Sequence, residues 1–137
     1  MTLFFDTLMA ATEQERHELQ QIEALQRAGS GAISLNSYQL FLIQAYHHVK
    51  HTTPLLMACG SRIPHNKEWL RNALAEYIEE ELGHQEWILN DIAATGMDAE
   101  SVRNGQPHYT TELMVSYAYD TITRNNPVGF FGMVLVL

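Results

Sequence analysis

Apolar residues in this chain recur every three or four positions over long stretches, and nowhere do they alternate with period two for long. That spacing lines one face of an α-helix, so the expected fold is all-α, a helical bundle. Breakers then set the helix limits. Gly29-Ser30-Gly31 closes a first helix over about Leu3 to Ala28. Ser34 or Ser37 caps a second that runs through Tyr38 to His51; Pro54 bends or restarts it, and Cys59-Gly60-Ser61 ends it. Pro64 precedes the longest helix, about Asn66 to Thr95, which Gly96 closes at a C′ position. Asn104 to Pro107 is loop, Thr110 or Thr111 caps a fourth helix to about Arg124, and Asn126-Pro127 opens a fifth that is still apolar at Leu137. No repeat or long linker interrupts this order. The expectation is a single helical domain over residues 1–137.

Charge narrows the function. Sixteen acidic residues against eight basic ones give a net charge of −8, which argues against a general nucleic-acid binder and against a polybasic membrane anchor. The apolar run from Val128 to Leu137 is too short to span a bilayer as a helix, and Met1 to Asp6 lacks the basic start of a signal peptide. One cysteine, Cys59, allows no internal disulfide and no all-cysteine metal cage. A cytoplasmic protein is the expectation.

The informative segment is Ala75 to Asp91. On a wheel of about 100° per residue with Glu76 at zero, Leu74, Tyr77, Ile78, Leu82, Ile88, Leu89 and Ile92 share one apolar arc, while Glu76, Glu79 and Glu86 face away from it. Glu81 falls inside the arc, between Ile88 and Leu74, and His84 falls at its edge beside Tyr77. A carboxylate on a buried face is costly unless it is paired, protonated or bound to a cation. One reading satisfies Glu81 with an Arg or Tyr from another helix. The other takes Glu81 and His84 as a Glu-x-x-His pair, half of a carboxylate-bridged metal site in a helix bundle. Oxygen and imidazole donors suit Fe or Mn, with Zn also allowed.

The second cluster is Tyr46-His47-His48-Val49-Lys50-His51. His47 and His51, one turn apart, are weaker metal candidates, and no Glu follows His47 to make a His-Glu-x-x-His protease motif. His48 borders the main apolar stripe and is the histidine expected to line an internal pocket, with Tyr46 and Tyr77 as further pocket candidates. Tyr109, Tyr117 and Tyr119 are expected to pack, Trp69 and Trp87 to cover a seam between helices, and Cys59 to be a packed thiol.

Three segments together, Tyr46 to Leu56, Glu79 to Trp87 and Asn126 to Leu137, resemble the haem-oxygenase-like superfamily, and within it the iron-containing redox enzymes grouped with TenA, PqqC and CADD. The likeness runs in order along nearly the whole chain. It implies a seven-helix bundle, commonly dimeric, of which about five helices are present here, so the chain resembles the N-terminal part of such a domain. Members that use iron bind one or two Fe ions through carboxylates and histidines and activate dioxygen. Glu81 and His84 match the first ligand helix, while the later ligands have no counterpart in this sequence. The resemblance therefore implies an iron-dependent, dioxygen-activating oxidase or oxygenase acting on a small organic substrate, with an incomplete ligand set in this chain. The alternatives within and beyond the superfamily are a TenA/thiaminase-like or PqqC-like metal-free enzyme and a non-catalytic helical binding or scaffold protein.

The fifth helix has no polar side from Phe130 to Leu137 apart from Gly132. A helix apolar all round must be buried on every side. The expectation is a homodimer or higher homo-oligomer assembled through it.

Overall fold

A computed structural model describes residues 3–136, and among them there is no strand. The N-terminal pattern that reads as one helix is three: α1 (Phe4–Ala11), α2 (Glu13–Gln20) and α3 (Glu23–Gly29). Two local features divide it. The Thr12 hydroxyl donates back to the Leu8 carbonyl at 2.9 Å, and Ile22 is extended at φ −64° and ψ 117°. α2 is polar nearly all round, so no shared buried face holds a longer helix together. None of the three buries a residue, and Phe4, Phe5, Ile22 and Leu25 are exposed.

The packed body follows: α4 (Leu35–Val49), α5 (Thr52–Arg62), α6 (Leu70–Glu81), α7 (His84–Ala94), α8 (Ala99–Arg103), α9 (Tyr109–Arg124) and α10 (Phe130–Val136). Ser34 caps α4 by accepting the Ser37 N–H at 3.1 Å. The turn at Lys50-His51 separates α4 from α5, and Pro54 lies in the first turn of α5, where its missing N–H leaves no bond unmade. Gly96, at φ +87°, ends α7 as the sequence indicated, its N–H donating to Ala93.

Three expectations are corrected. The helix over 66–95 is broken at Leu82-Gly83, because Gly83 adopts φ +91° and Leu82 turns extended. The short helix α8 was not anticipated. Its single apolar anchor, Val102, gives no periodic signal, and Asp98 holds its start by accepting the Glu100 and Ser101 N–H groups. Finally, α9 is capped by His108, whose Nδ1 accepts the Thr110 N–H, rather than by Thr110 or Thr111.

Two apolar clusters form the core. Leu42 and Tyr46 of α4 meet Leu89 and Ile92 of α7 and Val102 of α8. Leu55, Leu56 and Cys59 of α5 meet Leu74 of α6, Ala118 and Ile122 of α9, and Phe130 of α10. At roughly 1.5–3 kcal/mol for each large side chain, these clusters hold the fold. Arg62 ties the second together at its edge, donating to the carbonyls of Ile122 at 2.8 Å and Thr123 at 2.7 Å at the end of α9. The terminal helix is covered within the chain more than its composition suggests. Phe130 is buried, and Phe131 and Met133 pack against the second cluster, whereas Val134 is exposed. Leu137 lies outside the described residues.

Candidate metal centre

The break at Gly83 decides how Glu81 and His84 are presented. Glu81 is the last residue of α6 and His84 the first of α7, so one helical wheel cannot place them both. Leu82, assigned by that wheel to the buried arc, is 60% exposed. The turn nevertheless brings the pair together: His84 Nδ1 and Glu81 Oε2 are 2.9 Å apart, with side chains 29% and 19% exposed. The partner of Glu81 is thus this histidine and not an Arg or Tyr from another helix.

The contact is a hydrogen bond between one ring nitrogen and one carboxylate oxygen, and the same spacing is compatible with a metal edge. Two donors bound cis to one ion, with bonds of about 2.0–2.2 Å, stand about 3 Å apart. The oxygen–nitrogen pair also suits Fe, Mn or Zn. Among the described residues no group of three or more His, Cys, Asp or Glu side chains converges to hold an ion. Among the described residues the pair therefore has no third donor beside it.

Neighbouring groups shape the pair. The Trp87 ring lies 4.3 Å from the His84 ring, centre to centre, on the exposed side. Tyr77, one turn before Glu81 on α6, is half-buried; burial, and after it the Glu81 and Glu80 carboxylates, push its phenol up, so it stays protonated. α4 and α7 run antiparallel, since Gln39 near the start of α4 donates to Thr95 just after α7 at 3.2 Å. Counting back from that pairing sets His84 level with the end of α4, where the histidines are.

Those histidines are divided between surroundings. Tyr46 is buried in the first apolar cluster, and His48 is half-buried. His47 is fully buried on another side, edge-on to the Tyr46 ring, with Nδ1 3.2 Å from Lys50 Nζ. His51 Nδ1 lies 3.3 Å from the Tyr119 hydroxyl of α9. His47, Lys50 and His51 with Thr111, Glu112 and Tyr119 line a hollow of about 310 Å³ between α4 and α9. Burial holds His47, His48 and His51 below the usual histidine range, with Lys50 adding to this at His47 and His51. Larger hollows lie along α1 to α3 and the start of α4, but only among residues that bury nothing. Lys50, Thr111 and Tyr119 were missed as site residues because no sequence signal shows which face of α9 meets the end of α4.

Cys59 is fully buried, its thiol donating to the Pro127 carbonyl, and burial pushes it up, away from the thiolate. Trp69 and Trp87, expected to cover a seam between helices, and Tyr109 and Tyr117, expected to pack, are exposed, whereas Tyr119 is half-buried against the second apolar cluster.

The family described as iron-containing redox enzyme matches residues 39–137, well over half the chain. This chain belongs to that family. No curated protein and no solved structure matches it. In this member of the family the match starts inside α4 and takes in both Glu81 and His84, while α1 to α3, which bury nothing, fall outside it. The fold is the all-α, haem-oxygenase-like one. No described helix is long and apolar enough to cross a membrane.

Proposed function

We propose that this redox enzyme is iron-dependent and oxidises a small organic substrate with dioxygen, and that Glu81 and His84 are the iron ligands this chain supplies. The observation that carries the reading is the convergence of Glu81 Oε2 and His84 Nδ1 at 2.9 Å on a turn fixed by Gly83. Iron held there would supply one-electron redox chemistry toward dioxygen. The surrounding side chains hold the pair in place. Trp87 restrains the His84 ring from its exposed side, and the protonated Tyr77 phenol, beside Glu81, can donate to a carboxylate oxygen or to substrate. With no third donor beside them among the described residues, Glu81 and His84 alone bind iron weakly. A metal-free reading that uses a cysteine nucleophile, as in thiaminase-like relatives, loses support from the buried, hydrogen-bonded Cys59.

We also propose self-association as a homodimer. Its support is the apolar surface left outside the core: Val134 on the terminal helix and, more extensively, Tyr109, Leu113 and Tyr117, which fall one turn apart along α9 and are 65–73% exposed. Two copies could bring two Glu81/His84 pairs together and complete a four-donor site.

The activity is tested by loading the chain with ferrous iron under anaerobic conditions and following oxygen uptake on mixing with air. Uptake above that of free iron, reduced to the free-iron rate in Glu81→Gln and His84→Ala, is expected. Equal uptake by the variants and the parent would remove Glu81 and His84 from the reaction.

A further inference from the structure

We propose that the hollow between α4 and α9 binds a small oxyanion, a carboxylate or phosphate group, with Lys50 as its charged anchor. Six of the other seven basic residues are already engaged, and the seventh, Lys67, is exposed and lies outside the hollow. Arg27, Arg71, Arg103 and Arg124 each pair with a carboxylate, and Arg16 and Arg62 donate to backbone carbonyls. Lys50 is half-buried and forms no ion pair among the described residues. Its ammonium meets the His47 ring nitrogen at 3.2 Å and the Tyr46 ring at 5.4 Å from the centre. Both partners are weaker than a carboxylate and leave ammonium protons free for a stronger acceptor.

The hollow supplies the rest of an anion site. Because Lys50 donates to His47 Nδ1, the neutral His47 ring carries its proton on Nε2. His47 forms part of the wall of the hollow, where a ligand oxygen or water can accept from that proton. Tyr119 of α9 and His51 at the end of α4 are hydrogen-bonded at 3.3 Å and leave one further donor, either the His51 Nε2–H or the Tyr119 O–H. Burial keeps the histidines neutral, so the positive charge is concentrated on Lys50. A space of about 310 Å³ sits at the small end of ligand sites and takes a compact acid rather than a nucleotide. Glu112, exposed on the α9 side, makes no ion pair with Lys50 and weakens anion binding from across the hollow. The site shares no residue with the Glu81/His84 pair, so it stands or falls apart from the iron proposal.

The test is a titration of the iron-free, 137-residue chain with sodium acetate and, separately, inorganic phosphate, against sodium chloride at matched ionic strength. The readout is the imidazole resonances of His47 and His51. Saturable shifts with at least one of the two oxyanions, and none with chloride, are expected; the one that saturates identifies the group. Lys50→Met should weaken the half-saturation point by about tenfold or more, as loss of a charged hydrogen bond does. Glu112→Gln should tighten it, and Lys67→Met should leave it unchanged. No saturation, equal shifts with chloride, or Lys50→Met binding as tightly as the parent would overturn the proposal. Should Lys50→Met lose its helical circular dichroism, Glu112→Gln decides: tighter binding supports the site, and unchanged binding overturns it.

Discussion

Histidines carry most of what single residues decide in this chain. His47, His48 and His51 are all held neutral in the fold, chiefly by burial; Lys50 adds to this at His47 and His51, His51 adds to it at His47 and His48, and Glu112 opposes it at His51. Their folded values lie below the unfolded value of about 6.5, so below that pH the unfolded chain binds more protons than the folded one. Their contribution to stability is complete above about pH 6.5 and is lost as pH falls through the folded values. Urea unfolding at pH 7.5 and 5.5 should show a lower midpoint at 5.5, and His47→Gln should shrink the difference; an unchanged difference would mean that other groups cause it. Glu81 stood out in the sequence as a charge among apolar neighbours. Its actual partner, His84, was legible only as the next member of a motif. The role of Lys50 was not legible, because its exposure depends on α9, fifty-nine residues or more away in sequence.

At the scale of elements, most caps and breakers were readable, the cap of α9 excepted, and continuity was not. Ser34, Gly96 and Asn126 do what their residue types dictate, the last accepting the Val128 N–H ahead of α10. Periodicity alone runs straight across Gly83, because one glycine inside a helical pattern is usually tolerated and only its positive φ reveals the turn. The turn sets the angle at which Glu81 and His84 meet, which makes Gly83 a sensitive position. A Cβ there would meet nothing within 4 Å, so an alanine strains only the backbone, at about 1–2 kcal/mol. Gly83→Ala should lower stability by about that amount in urea unfolding and weaken iron binding as well. Gly29→Ala, equally uncrowded but without positive φ, should cost nothing or stabilise slightly. Equal effects at the two glycines would show that the left-handed turn is not what holds the pair.

Across the whole molecule the division is between a packed body from α4 onward, which the family match nearly coincides with, and three N-terminal helices that bury nothing. The all-α class followed directly from the absence of period-two patterning. The distribution of apolar surface did not, because helix periodicity cannot tell which stripe a neighbour covers: Phe130 is buried, while Tyr109, Leu113 and Tyr117 are exposed. Light scattering at micromolar concentration should give a dimer mass, and Leu113→Glu should return a monomer with unchanged helicity; a monomeric parent would refute self-association. Whether Glu81 and His84 hold iron is decided by an anaerobic ferrous titration of the parent beside the Glu81→Gln and His84→Ala variants. The expected result is weak, saturable binding by the parent that each variant abolishes. Binding of equal strength in all three proteins would contradict it.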